Sequence, residues 1–246
     1  MTLPADLLPL SLLQKGARKL GVALSDSQLH QFTRYREELL AWNQRVNLTA
    51  ITVPAEVETL HFLDSLTLAL ALPAPAPPGY RLCDIGAGAG FPGVPLKIAF
   101  PQIRLTLVEA TGKKTAFLRR LMETLALEAV DIFTGRAEEL AHRPDLREAL
   151  DFVTARAVAE LPALLELTLP FCRVGGRTVL MKKGDLSKEL AASNHALAEL
   201  GGRLQKVMPV PEDVLPGQRA LVVVQKVRAT PANYPRRPGL PAKRPL

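Results

Sequence analysis

Spaced apolar positions dominate the first third of the chain, and short apolar runs dominate the rest. In DSQLHQFTRYREELLAWNQRVNL, Leu29, Phe32, Tyr35, Leu39 and Trp42 recur about three or four residues apart, which draws one apolar stripe along a helix. Ser25 and Asp26 stand just ahead of it as candidate N-caps, because their side-chain oxygens can accept from the free N–H groups of a first turn. PAEVETLHFLDSLTLALAL predicts a further helix with Pro54 at its start, where a fixed φ and a missing N–H do no harm. Residues 1–72 are therefore read as a helical region. LPAPAPPGY cannot continue a helix, so 73–80 is assigned as a proline-rich, semi-rigid linker.

Beyond the linker the period changes. YRLCDIG, IRLTLVEA, AVDIFTG, DFVTARA and RTVLMKK are apolar runs of strand length. PGVPLKIAF, KKTAFLRRLMETLAL, LPALLELTLPFC and LSKELAASNHALAEL carry helical spacing among them. Strands alternating with helices require right-handed crossovers and build a mainly parallel sheet with helices on both faces. RLQKVMPV and RALVVVQKV end the pattern with no clear helix between them, which predicts an antiparallel edge pair and seven strands in all. The fold class is α/β, carried by residues 81–228. The tail, 229–246, is rich in proline and basic residues and has no acid. It is expected to form no secondary structure and to lie over the surface or grip a phosphate backbone.

Composition narrows the partners more than the chemistry. The 246 residues are 48% hydrophobic, enough for one sizeable core. Lys and Arg number 31 against 24 Asp and Glu, a net charge of +7, and such a field favours polyanionic partners. No run approaches the roughly 20 apolar residues of a membrane span. The start, MTLPADLLPLSLLQKG, has Asp6 and no basic region, so it does not read as a signal peptide. Cys83 and Cys172 form no CxxC pair; neither a disulfide scaffold nor a zinc site is expected, and a reducing cytoplasm suits them. No membrane, no metal and a monomeric state are the matching expectations.

The stretch LCDIGAGAGFPGVPLKIAF concentrates glycines between a strand and a helix. Gly86, Gly88 and Gly90 permit positive φ and let a ligand lie against the backbone. GAGFPG, Gly88 to Gly93, formally fits the GxGxxG dinucleotide fingerprint, yet a lone match is weak. Asp84 at the strand end argues against a diphosphate, since like charges repel. S-adenosylmethionine carries an ammonium and a sulfonium and no phosphate, so an acid beside the loop becomes favourable. A second acid should then end the following strand and accept bonds from the ribose hydroxyls. Glu109, closing LTLVEA, fills that place. A methyltransferase is therefore favoured over a dehydrogenase.

DIGAGAGFPG, VEATGKKTAFL, GRAEEL, TARAVAEL and MKKG resemble the motifs of the glucose-inhibited division protein B family. WNQRVNLTAI, HFLDSL and YPRRPGLPAK are similar to further family signatures, so the likeness runs over nearly the whole chain. The resemblance implies a Rossmann-like class I methyltransferase that modifies guanine N7 in small-subunit ribosomal RNA, free or in the small ribosomal particle. It places the cofactor against Gly86 and Phe91, the ribose side against Glu109, Ala110 and Thr111, and the adenine between Ala137 and Glu138. Arg156 would lie by the cofactor at the end of the fourth strand. Phe91 also reads as plain core and Glu138 as a solvated helix-start acid. In MKKG either Lys182 or Lys183 could face the site.

Guanine N7 has an exposed lone pair and needs neither a covalent attachment nor prior deprotonation. Catalysis is then mainly placement of lone pair, methyl carbon and sulfur in line. Arg156 and Lys182 are the residues expected to position base or phosphate. Lys113, Lys114, Arg119 and Arg120 open the helix after Glu109 and, with Arg236 and Arg237 of the tail, are candidate RNA contacts; a solvated helix face is the alternative for the first four. Asn43 and Asn47 could face the guanine or cap a helix end. His61 and Asp64 read as a structural pair. Two other functions stay open: methylation of a protein or small molecule, and a non-catalytic RNA-binding assembly factor.

Overall fold

The computed structural model describes residues 10–156 and 159–246. Three helical stretches precede the sheet: α1 (Ser11–Lys19), α2 (Asp26–Asn43) and α3, spanning 54–71. Ser25 is the N-cap of α2. Its side chain accepts from the Gln28 N–H while the Gln28 side chain accepts from the Ser25 N–H, which satisfies two end donors reciprocally. Asp26, the other candidate cap, is the first helical residue instead. Phe32, Tyr35 and Leu39 are fully buried on one side, with Leu29 and Trp42 partly covered at its margins.

The third stretch is not the uniform helix its spacing predicts. After Pro54–Glu56 it widens to a π-helix over Val57–Leu63, returns to α over Asp64–Leu66 and tightens to 3-10 over Thr67–Ala71. Wide turns of this kind are frequent at functional sites; here they carry buried Glu58 and His61, with buried Asp64 opening the α turn that follows. Glu58 accepts from the N–H groups of Leu12 and Leu13, at 3.2 Å each, which caps α1 from across the fold.

Seven strands follow: β1 (Arg81–Ile85), β2 (Arg104–Glu109), β3 (Val130–Thr134), β4 (Leu150–Arg156), β5 (Cys172–Lys183), β6 (Gly202–Pro209) and β7 (Arg219–Lys226). They form one sheet in the order β3-β2-β1-β4-β5-β7-β6. Ladders among β3, β2, β1, β4 and β5 are parallel, and both ladders of β7 are antiparallel. The β6–β7 pair is antiparallel and lies at the edge of the sheet, as expected, with β6 outermost and β7 paired to β5. Leu221, Val222, Val223 and Val224 are all buried, and a run apolar on both faces needs neighbours on both sides. β6 takes the edge and leaves Leu204 and Val207 exposed.

The intervening helices are α4 (Gly93–Ala99), α5 (Gly112–Leu125), α6 (Ala137–Leu140), α7 (Leu161–Thr168), α8 (Ser187–Ala192) and α9 (Asn194–Leu200). The expected single helix over 186–200 is interrupted at buried Ser193, whose Oγ donates to the Glu189 carbonyl at 2.6 Å, a local bond that competes with the helix ladder. Alternation along the strands feeds two cores. Leu82, Leu105, Leu107 and Phe152 share one with α2, α3, α4 and α5; Cys83, Ile85, Val108 and Val153 share the other with α7 and α9. The apolar stripe of α2 thus packs on α4 and α5, and the 3-10 end of α3 reaches β5 and β7.

The tail departs from expectation. It closes one helical turn, α10 (Leu240–Lys243), after left-handed Gly239, and it packs on the second face. Arg147 holds it there, donating to the carbonyls of Thr230, Pro231 and Tyr234 at 2.9–3.0 Å. Chain order reverses between β1 and β4, which opens a crevice at the carboxyl ends of those strands.

Candidate active site

Gly86, Gly88 and Gly90 all take left-handed φ, 72°, 59° and 98°, a region open to glycine at no steric penalty. The last two do different things. A Cβ on Gly90 would lie 2.7 Å from Tyr35 Oη and from Val94, so this glycine lets α2 and α4 close on the underside of the loop. A Cβ on Gly88 would meet nothing closer than the Gly86 carbonyl at 3.9 Å, so open space lies beside it. Tyr35 Oη donates to the Ala89 carbonyl at 2.5 Å. The Gly86 and Ala87 N–H groups donate to Val108 O at 2.8 and 3.0 Å. The loop is fixed from below and free above.

Two acids bracket it. Asp84, fully buried at the end of β1, accepts from the Gly93 N–H through Oδ2 at 2.8 Å. Its Oδ1 has no hydrogen-bond partner among the described residues. Burial pushes this carboxyl up to about 7; the Gly93 N–H and Arg156 pull it down, and Glu109 adds to the rise. Glu109, at the end of β2, accepts from the Gly88 N–H through Oε2 at 2.9 Å and from the Thr111 N–H through Oε1 at 2.8 Å. Its carboxylate therefore staples the glycine loop to the loop after β2, and each oxygen keeps acceptor capacity for a hydroxyl. An orphaned buried acid beside open glycine backbone suits a cationic ligand with hydroxyls, as S-adenosylmethionine is. The same two acids are a poor seat for a diphosphate.

Phe91 leaves the loop into an aromatic stack. Its ring lies 4.4 Å from that of His61 and 5.2 Å from that of Tyr35, both nearly parallel, and the Arg156 guanidinium sits 5.1 Å over it. Arg156 donates to Asp64 Oδ2 at 3.0 Å, to Leu60 O at 3.3 Å and to His61 Nδ1 at 3.3 Å. Arg219, from the start of β7, donates to Asp64 Oδ1 at 2.9 Å. Burial, with the Arg156 charge, pushes the His61 imidazole down to about 4. The ring is neutral at pH 7, accepts at Nδ1, and donates from Nε2 to Thr49 Oγ1 at 2.7 Å. The expected His61–Asp64 pair is thus corrected: Arg156 takes both partners, because a neutral, acceptor imidazole offers the carboxylate nothing on that side.

Beside this wall opens a cavity of about 420 Å³, lined among others by His61, Asp64, Arg156, Lys182, Lys183 and Arg219. Lys182 pairs with Glu189 at 2.6 Å and donates to Ala159 O at 3.3 Å, while Lys183 is exposed. Both lysines reach the cavity. The spacing marks Tyr35 only as apolar stripe, and nothing in the local pattern of Arg219 or Glu189 marks them; the fold brings each to the site from a distant element.

Ala110 and Thr111 are exposed beside the loop, Ala137 is half-buried and Glu138 buried. On α5, Lys113, Arg119 and Arg120 are exposed and Lys114 half-buried; Leu118, Leu121 and Leu125 fill the core side. Asn43 is a helix-end cap: Oδ1 accepts from the N–H groups of Leu48 and Thr49, and Nδ2 donates to Thr49 O. Asn47 is exposed. Arg236 is a correction. Its guanidinium is spent on fully buried Glu166, with Nη2 to Oε2 at 2.6 Å and Nε to both oxygens, so it is not offered to RNA. Arg237 is exposed. Ala157 and Val158 of TARAVAEL, and the first nine residues, lie outside the described residues. Those described include no helix long and apolar enough to cross a membrane and no acid, histidine or cysteine cluster suited to a metal.

Sheet order, switch-point crevice and glycine loop together define a Rossmann-like class I methyltransferase fold. A mutant of MtNAS solved with S-adenosylmethionine superposes with a TM-score of 0.55 at 19% identity, covering 89% of this chain and 78% of that one. The model of the GidB family, described as rRNA small subunit methyltransferase G, matches residues 28–221, and the chain belongs to that family. It is 48% identical over 231 residues to the ribosomal RNA small subunit methyltransferase G of Dehalococcoides mccartyi strain CBDB1, covering 94% of this chain and 97% of that one. It is 50% identical over 229 residues to the protein of the same name from Roseiflexus castenholzii, with 92% and 95% covered.

Proposed function

We propose that this chain transfers a methyl group from S-adenosylmethionine to N7 of a guanine in small-subunit ribosomal RNA, in the cytoplasm. The observation that carries the reading is the open glycine loop held between Asp84 and Glu109, joined through Phe91 to His61 and Arg156, which line a cavity rich in cations. The cofactor supplies an electrophilic methyl on a sulfonium. Gly86, Gly88 and Phe91 shape its seat, Asp84 offers it a buried acid, and Glu109 accepts from the ribose beside Ala110 and Thr111. Ala137 and Glu138 flank the adenine. Family membership supports ribosomal RNA as acceptor.

The guanine enters the cavity lined by His61 and Arg156, whose side chains pack on Phe91 of the loop, so that its N7 can face the methyl directly. Arg156, held by Asp64, and Lys182, held by Glu189, orient base and phosphate there. Neither is a base, and neither is His61, which is neutral with both ring nitrogens engaged. N7 needs no proton removed, so alignment and exclusion of water account for the rate. Lys113, Lys114, Arg119, Arg120 and Arg237 meet the phosphate backbone. Transfer of tritiated methyl to purified small-subunit RNA, followed by nucleoside analysis, tests the reading. Label is expected in 7-methylguanosine. Label in protein, or on an exocyclic amine of adenine, overturns it.

A further inference from the structure

The basic tail has the composition of an RNA grip, but its contacts point inward. Arg236 gives Glu166 its backbone N–H at 2.8 Å and its guanidinium at 2.6–3.1 Å, and Glu166 is fully buried on α7. His142 Nε2 meets Pro235 O at 3.0 Å. Three residues beyond Arg236, the Gly239 N–H donates to Glu138 Oε1 at 2.9 Å. Glu138 is buried, and among the described residues its side-chain cation is Arg136, at 3.0 Å and half-exposed. The tail therefore passes over the carboxylate assigned to the adenine side of the cofactor before it closes α10.

We infer that residues 229–246 are a positioning strap for the cofactor site: the Arg236–Glu166 pair holds Gly239 in place, and the Gly239 N–H sets the Glu138 carboxylate. Arg236 is a positioning residue acting through Glu138, not an RNA contact. A buried carboxylate keeps its orientation only while its donors are fixed, and Gly239 is fixed by the ion pair three residues earlier. The inference rests on the proposed function in one respect, the placing of Glu138 beside the adenine.

The test is a double-mutant cycle on the full chain, with Arg236→Ala, Glu138→Ala and the pair. S-adenosylmethionine affinity is read by calorimetry, RNA affinity against salt by filter binding, and folding by thermal melt. Arg236→Ala is expected to raise the cofactor Kd about 10-fold and to leave the RNA salt slope unchanged. In the Glu138→Ala background, where the Gly239 N–H has no carboxylate to set, the same change should add less than about twofold, since coupled residues are not additive. Additive effects, or an unmoved cofactor Kd with a shallower RNA salt slope, overturn the strap. Should Arg236→Ala not fold, Gly239→Ala replaces it: a Cβ there meets nothing within 4 Å, but φ of 78° disfavours it, and the Kd should rise several-fold. A wild-type chain that binds no S-adenosylmethionine overturns the proposed function and the strap together. One that binds it with Kd unmoved by either tail variant overturns the strap alone.

Discussion

Replacing Glu109 by Gln tests the site where structure and chemistry meet. Both oxygens of Glu109 accept backbone N–H groups, from Gly88 at 2.9 Å and Thr111 at 2.8 Å, in a side chain only 7% exposed. Glutamine has one acceptor oxygen, and its amide must turn toward the other N–H, donor against donor. One charge-assisted, part-buried bond is lost and its N–H is left facing a donor, which costs about 1.5–3 kcal/mol. For a chain of this size that lowers Tm by about 3–12 °C. The glycine loop is then no longer tied to the loop after β2, and the acceptor for the ribose is weakened. Passed on to binding, the same energy raises the S-adenosylmethionine Kd about 10- to 150-fold. Differential scanning fluorimetry and calorimetric titration read the two quantities separately. A lower Tm with Kd within twofold of wild type would leave Glu109 a loop staple and refute its place at the ribose. No change in either would refute the geometry.

Gly88→Ala should lower Tm only by the strain of its left-handed φ, about 1–2 kcal/mol, and bind cofactor at least about tenfold more weakly, because its Cβ enters open space beside the loop; Gly90→Ala should lower Tm further, because its Cβ also strikes Tyr35 and Val94. Comparing melts and titrations of the two separates ligand space from packing, and equal behaviour would show that they share one role. Asp84, pushed up to about 7, should lose a proton when a cationic cofactor binds near pH 6.5, since a positive neighbour favours the carboxylate; binding enthalpies that do not vary with buffer ionisation heat would contradict this. The His61 imidazole lies at about 4 in the fold against an ordinary 6.5, so the unfolded chain takes up the proton first. Stability present above pH 6.5 should fall through that window by up to about 3 kcal/mol as pH drops to 4, and His61→Phe should flatten the fall seen in urea titrations.

How much of this protein its sequence determines can be argued from single elements. Alternating runs settle the α/β class and the parallel sheet, because period-2 and period-3.6 patterns cannot exchange roles. The glycine loop and its two acids are equally legible, since strand-end residues and the loop between them are contiguous in the chain. Ser25 announces its cap for the same reason. The interior position of β7 is only partly legible: its continuous apolar run, Leu221 to Val224, sets it apart from the more polar β6, but its insertion between β5 and β6 depends on which surfaces need covering. The π-helical turn in α3 is hidden, because its apolar spacing is that of an ordinary helix. Most telling are the partners of charge. Asp64 meets Arg156 and Arg219, and Arg236 meets Glu166, across separations of 70 to 155 residues. A sequence shows that a cation exists; only the fold decides whether a buried carboxylate has already claimed it, because a buried charge must be paired wherever the chain brings a partner within reach.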